Sequence, residues 1–245
     1  MVNKLIFKSV IDKYHLGENE SVKWITRNKQ LTIDFMSLSK EVIGRVVHDG
    51  FDLEDSDLAI FDTKKLLNLI SITSGDLLLT LEKNKSVFTK LHLADNAFNL
   101  TYALADPLLI GKVGTVNSPE WDATATLEKE DIFNLVKAKG ALGDVNNMLI
   151  STGEDANGDN IILFTFGDEN GHNNKITYHI YANILPLNTV SIPFNSDAFR
   201  NILHVNKDME EGKMYLSYKG LMKLEFKSPN SSSEYYLIRK EQTSF

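Results

Sequence analysis

Leu31, Ile33 and Phe35 alternate with polar neighbours, as do Leu77, Leu79 and Leu81, and a period of two marks strands with one buried face and one wet face. The pattern predicts strands over 22–26, 31–36, 42–48, 58–61, 77–82, 87–93 and 98–104 in the first half of the chain. In the second half it predicts 148–152, 161–166, 176–184, 190–192, 214–218, 222–226 and 234–239. Four stretches change to helical spacing: 3–15, 62–72, 128–139 and 195–206. Their expected buried faces are Ile6, Phe7, Val10, Ile11 and Tyr14; Leu66, Leu69 and Ile70; Ile132, Leu135 and Val136; and Phe199, Ile202 and Leu203.

The halves repeat one another. Residues 61–70 lie over 194–203 without a gap, sharing Phe, then Asp or Asn, then Thr or Ser, then a large apolar residue five places after the Phe, an Asn, and two aliphatics. Each copy follows a strand-like run and carries an N-cap residue before its helix. A second echo places Ile6-Phe7, Val10, Lys13 and Gly17 over Ile132-Phe133, Val136, Lys139 and Gly143, with each glycine where a helix stop belongs. The expected organisation is a duplicated α+β fold, each domain with two helices beside antiparallel sheets: 1–106, an irregular linker over 107–122 that contains Pro107, Gly111, Gly114 and Pro119, and 123–245.

Composition and charge narrow the function. The 245 residues contain 42% apolar and 24% charged side chains, so the chain is an ordinary globular one. A net charge of -7 disfavours a uniformly basic nucleic-acid module. The four helices nevertheless carry nine Lys or Arg against six Asp or Glu, while the remainder carries seventeen against twenty-seven, which suggests basic helical faces on an acidic body. No cysteine is present, which excludes disulfides, thiolate metal sites and thiol nucleophiles and fits a reducing, cytosolic location. No apolar run approaches the ~18 residues of a membrane span, and the start does not read as a signal peptide.

Catalytic chemistry is not legible. The histidines at 15, 48, 92, 172, 179 and 204 have no metal-binding spacing, Gly111-Lys112 lacks the rest of a phosphate loop, and no nucleophile elbow occurs. Asp155 to Asp159 imitates the start of a calcium loop, but Asn160 replaces the turn glycine and Phe166 the bidentate Glu, so a hairpin turn is expected. Glu54, Asp55 and Asp57 read as a solvated loop rather than an acid–base cluster. No enzyme activity, metal or cofactor is expected.

The chain resembles a DNA sliding clamp, the polymerase processivity factor, and in particular the clamps of T-even-type tailed phages. The resemblance rests on Asp57-Leu-Ala-Ile-Phe-Asp62 with Leu66-Leu67-Asn68-Leu69-Ile70-Ser71, on Tyr102-Ala-Leu-Ala-Asp106-Pro107, on Glu130-Asp131-Ile132 with Leu135-Val136-Lys137, and on the ending Thr243-Ser244-Phe245 after Tyr235-Tyr236-Leu237-Ile238. These pieces run collinearly along nearly the whole chain. Departures are Tyr102, where the best-known member has a tryptophan, and longer loops at 155–160 and 168–174. The resemblance implies a head-to-tail homotrimer whose six domains surround duplex DNA without reading bases, in the cytoplasm of an infected bacterial host, with the replicative polymerase and a clamp loader as partners. Twelve helices packed at roughly 8–10 Å put their axes on a circle of circumference ~100–120 Å, which leaves a bore wider than the duplex. A non-catalytic structural or virion β-rich phage protein remains the alternative, and a hidden enzymatic cleft a more distant one.

Three sets of residues follow as expectations. Lys8, Lys64, Lys65, Lys137 and Arg200, with Lys4, Lys139 and His204, are candidates to line the bore and touch phosphates. Tyr102 and Leu104, on 98–104, are expected to meet Thr177 and His179, on 176–182 of a neighbouring subunit. Leu108, Leu109, Ile110, Val113 and Val116, with Tyr236 and Ile238, are candidates for an apolar groove that holds partner peptides, and Phe245 is a further candidate contact.

Overall fold

Asn3 opens the first helix by accepting the N–H groups of Leu5 and Ile6 on its side-chain oxygen, 3.0 and 3.4 Å away. In the computed structural model, which describes residues 1–167, 174–184 and 191–240, this helix is the first of four. The chain forms two units. One comprises Met1–Leu38, Gly44–Gly114 and Pro229–Ser233; the other comprises Ser39–Ile43, Thr115–Ser228 and Glu234–Phe245, so each takes a short segment from the other's stretch of sequence.

The first unit runs β1 (Val2–Asn3), α1 (Lys4–His15), β2 (Val22–Arg27), β3 (Gln30–Met36), β4 (Val42–Asp49), β5 (Ser56–Ile60), α2 (Thr63–Ser71), β6 (Asp76–Asn84), β7 (Val87–Ala94) and β8 (Asn99–Ala103). One sheet has the order β1-β6-β7-β8, and a second layer the order β5-β2-β3-β4. The helix α1 stops where Leu16 (φ 48°) and Gly17 (φ 84°) turn left-handed, a conformation that glycine adopts without a Cβ penalty. Phe7, Val10, Ile11 and Tyr14 form its buried stripe against Trp24 and Phe51. The Phe7 and Trp24 rings are 5.7 Å apart and edge-on, and Trp24 meets Phe51 at 6.3 Å. The Tyr14 hydroxyl reaches Thr63 of α2 at 3.3 Å, which ties the two helices together.

The second unit contains β9 (Ala123–Thr126), α3 (Lys129–Ala141), β10 (Asn147–Glu154), β11 (Asn160–Gly167), β12 (Lys175–Tyr181), β13 (Asn183–Ile184), β14 (Ile192–Asn195), α4 (Ser196–Val205), β15 (Glu211–Ser217), β16 (Leu221–Ser228) and β17 (Ser231–Ile238). Its layers are β12-β11-β10-β14 and β13-β9-β15-β16-β17. Phe164 stacks on Phe199 at 5.6 Å, and the Asn206 side chain, fully buried, donates to Ile202 O and to the Tyr235 hydroxyl.

The echo between 61–70 and 194–203 is physical. Asp62 caps α2 by accepting Lys65 N–H at 2.8 Å, Asn195 caps α4 by accepting Asp197 and Ala198 N–H at 3.0 Å, and the next residues, Thr63 and Ser196, are both buried. The other echo holds in part. α1 buries Phe7, Val10, Ile11, Lys13 and Tyr14 and α3 buries Ile132, Leu135 and Lys139: Lys13 and Lys139 are both buried as aligned, but the apolar stripe slips by one residue, so Phe7 corresponds to Ile132 and not to Phe133. Two expected core positions change as a result. Ile6 is exposed, lying one residue off the stripe, and Val136 is half-buried, as is Leu69 of α2.

The strand at β9 escaped the pattern because its inward residues, Ala123 and Ala125, are too small to mark it. A one-turn helix at Pro107–Leu109, capped by Asp106, interrupts the irregular stretch that follows β8. The turn between β10 and β11 is the expected hairpin: Asp155 Oδ1 accepts Asn157 and Asp159 N–H, and these bonds hold its carboxyl below the usual carboxylate range. Val190, the 168–173 loop, His172 and the ending with Phe245 lie outside the described residues.

Candidate functional site

Helix α2 presents Lys64 and Lys65 side by side in its first turn, both exposed. Cations there oppose the positive end of the helix dipole, at a cost of about 0.3–1 kcal/mol each. Helix stability therefore does not account for their position. Lys137 of α3 is also exposed, as is His204 in the last turn of α4. Arg200, between them in character, is half-buried, and its Nε has no hydrogen-bond acceptor among the described residues. Lys8 is exposed but holds Asp12 one turn on at 2.5 Å.

Two candidates from this set are corrected. Lys139 is only 2% exposed at its side chain: its ammonium joins Asp197 at 3.0 Å, Gly143 O at 3.0 Å and Leu142 O at 3.4 Å, locking the end of α3 to the start of α4. Lys4 spends its ammonium on Ser71 O, at 3.1 Å, and on Thr73 O, closing the C-terminal end of α2. Both act inside the fold, because carbonyls left over at helix ends capture the nearest flexible cation.

The sheet edges form the second feature. β8 ends one sheet of the first unit and β12 ends one sheet of the second. Leu104 N–H donates to Thr89 O, and the register pairs Tyr102 with Leu91 and Leu100 with Leu93, so by strand alternation the N–H groups of Asn99, Thr101 and Ala103 point away from β7. On β12, Ala182 N–H donates to Asn160 O and the register continues inward at Ile180, Tyr178 and Ile176, which leaves the N–H groups of Thr177, His179 and Tyr181 on the open side. The open groups on β8 are thus not those of the expected Tyr102 and Leu104.

Tyr102 is corrected as an anchor between subunits. It is 3% exposed, and its hydroxyl accepts Phe61 and Asp62 N–H at 3.3 and 2.9 Å while donating to Asp62 O at 3.1 Å. A phenol from the last strand of the sheet thus satisfies the strand-to-helix turn before α2. Burial raises its pKa despite the backbone donors. Leu104 is half-buried, whereas Thr177 and His179 are exposed, the latter with its ring edge-on to Tyr181 at 5.9 Å.

The apolar groove candidates fall in both units. Leu108 and Leu109 are 90% and 70% exposed, while Ile110, Val113 and Val116 are half-buried. Leu108 and Pro107 border a cleft of about 510 Å³ in the first unit with Val87, Phe88, Arg27 and Asp57. In the second unit Ile238 borders a cleft of about 450 Å³ whose other walls are Ser39, Lys40, Glu41, Asn147, Arg239 and Lys240, a charged surface and not the expected apolar one. Tyr236 is half-buried with the Lys223 ammonium 5.4 Å above its ring, and Lys223 also pairs with Glu225 and Glu234.

Nothing in either unit assembles a reaction centre from the expected acids. Glu54 pairs with Lys83, Asp57 with Arg27, and Asp55 accepts Asn28 N–H, so each carboxylate already has a structural partner. Among the described residues no group of three or more His, Asp or Glu could hold a metal, and no helix is long and apolar enough to cross a membrane.

No family model matches the chain, and no curated protein matches it. Solved structures do match, end to end. The proliferating cell nuclear antigen (PCNA) of Entamoeba histolytica aligns with a TM-score of 0.74 at 15% identity over 98% of this chain and 96% of that one. The A. fulgidus PCNA, solved with the C-terminal region of FEN-1 bound, aligns with a TM-score of 0.76 at 13% identity over 99% and 98%. A PCNA2–PCNA3 complex from Sulfolobus tokodaii aligns at 0.74, with 11% identity over 98% of both chains. The fold is therefore the PCNA-like clamp fold, α+β with antiparallel sheets and four helices, and identities this low carry the fold alone.

Proposed function

We propose that the chain is a non-enzymatic DNA sliding clamp, a closed ring that encircles duplex DNA and tethers a replicative polymerase. The observation that carries this reading is the pair of open sheet edges, β8 in one unit and β12 in the other, in a chain whose whole length follows the clamp fold. Two different edges, one in each unit, make a heterologous contact, which closes into a ring when the rotation fits and covers both β8 and β12. With two units per chain, three chains give the six-unit ring implied by the resemblance to phage clamps. That resemblance also supports a T-even-type tailed phage as the source, and the cytoplasm of its bacterial host as the place of action.

The mechanism is topological. Lys64, Lys65, Lys137, Arg200 and His204 would meet phosphates without base readout, so the ring holds DNA and still slides. A polymerase or clamp loader bound through a short peptide, as FEN-1 binds the A. fulgidus clamp through its C-terminal region, stays at high effective concentration beside the primer end. The test is retention on DNA: chains loaded onto a nicked circle should remain through gel filtration and be lost when the circle is cut. Equal retention on cut and uncut DNA would rule out encirclement, and a monomeric mass by light scattering at micromolar concentration would rule out the trimer.

A further inference from the structure

Phe133 has no place in the core. It is 65% exposed on α3, in a helix that buries Ile132 and Leu135 on either side of it in sequence, and the one-residue offset between the helices puts it where α1 has the exposed Lys8. The exposed positions of α3 are Lys129, Glu130, Phe133, Lys137, Gly140 and Ala141. Lys129, Phe133 and Lys137 are each four residues apart, so they form one stripe with an aromatic ring between two cations, about 6 Å of rise separating each from the next. The Lys137 ammonium already lies over the Phe133 ring, 6.0 Å from its centroid. Beyond Lys137 toward the C-terminal end the surface is flat, because Gly140 and Ala141 carry almost no side chain.

Such a stripe suits a surface that is anionic at intervals and apolar between them. The neighbouring helix α4, which packs against α3, brings the half-buried Arg200 to the same side-chain layer, a further cation beside the stripe. Glu130 and Glu128, at the start of α3, lie at the stripe's margin and keep its charge from growing, which favours contact over clamping.

We propose that this stripe contacts the sugar-phosphate backbone of duplex DNA, with Lys129 and Lys137 on phosphates and the Phe133 ring against the deoxyribose between them. The proposal rests on the clamp reading and adds to it a contact that salt does not screen. Lysine–phosphate contacts weaken steeply with ionic strength through counterion release, whereas apolar contact does not. Phe133 would keep the ring in touch with DNA at salt concentrations where its lysines let go.

The experiment is a titration of a fluorescent duplex of thirty base pairs with the full-length chain, followed by anisotropy from 50 to 200 mM salt. Lys129→Ala and Lys137→Ala should each lower the slope of log K against log salt by about one. Phe133→Ala should weaken binding by about three- to ten-fold at every salt concentration and leave the slope unchanged, with Phe133→Trp restoring affinity. Because Phe133 is exposed, its thermal unfolding should match the parent's, which separates the effect from misfolding. Unaltered affinity of Phe133→Ala, or a change in its slope, overturns the proposal while the parent's binding leaves the clamp reading intact. A parent chain that binds no duplex at 50 mM salt also overturns the proposal, while the clamp reading stands or falls with retention on circular DNA.

Discussion

Replacing Tyr102 by Phe separates two roles that the side chain has been assigned. In the structure its hydroxyl makes three hydrogen bonds at the turn before α2, and two of them, to Asp62 N–H and Asp62 O, have good lengths of 2.9 and 3.1 Å. Each is worth about 0.5–1.5 kcal/mol net, and the groups left behind lie in a partly buried turn, so Tyr102→Phe should cost about 2 kcal/mol of first-unit stability. For a unit of this size that corresponds to a midpoint lower by about 8 °C. Thermal and urea unfolding followed by circular dichroism would read it. The phenol's pKa is raised, so its folded-state contribution is complete below about pH 10 and is lost as pH rises through the raised value; the alkaline fall in stability should therefore be smaller in the variant. If Tyr102 were instead an anchor between subunits, the variant would leave unfolding unchanged and raise the dissociation constant of the assembly. A loss below 0.5 kcal/mol with weakened assembly would refute the capping argument.

Lys139→Ala should destabilise the second unit by about 2–4 kcal/mol, since it strips the partner from two helix-end carbonyls and from Asp197, and should leave the salt dependence of DNA binding unaltered; a lowered slope with unchanged stability would return Lys139 to the DNA-facing set. Ala103→Pro removes an outward N–H from β8 without touching a bond to β7, so the chain should fold and fail to assemble, and a trimer of parental mass in sedimentation would show that β8 is not the joining edge. His48 is held below the ordinary histidine range by burial, with Lys13 adding to it and Asp49 and the Asn230 carbonyl opposing. Its contribution to stability is full above about pH 6.5 and lost as pH falls through the depressed value, so His48→Gln should flatten the decline that sets in below about pH 6.5, and an unchanged decline would refute the linkage.

Strand and helix positions were legible because period-two and helical stripes survive in this sequence almost unbroken, and the caps at Asp62 and Asn195 fall where side-chain chemistry puts them. The edges β8 and β12 were legible as strands, but which of their groups face outward depends on register, which no single-strand pattern contains. The site was less legible for a related reason. A lysine's position on a wheel does not say whether a helix end nearby will claim its ammonium, as happens to Lys4 and Lys139. Phe133 stood outside the expected buried face of Ile132, Leu135 and Val136, but its alignment with Phe7 gave no sign of an exposed ring, and only the observed burial pattern of α3 shows it on the open side.

The traded segments Ser39–Ile43 and Pro229–Ser233 bear on how the chain reaches its native state. In the first unit Asp49 N–H donates to Asn230 O, and the Ser231 hydroxyl to Val47 O across 184 positions of sequence. A ribosome must therefore deliver nearly the whole polypeptide before the first unit can complete its bonding, and closing so long a loop is slow compared with pairing β6 to β7. Until then β4 waits with an unsatisfied flank, open to capture by another nascent chain. Synthesis at high local concentration, with several chains emerging from one message, would expose that flank to wrong partners and right ones alike. The order of folding thus makes the yield of native protein depend on temperature and expression rate more than its final stability would suggest.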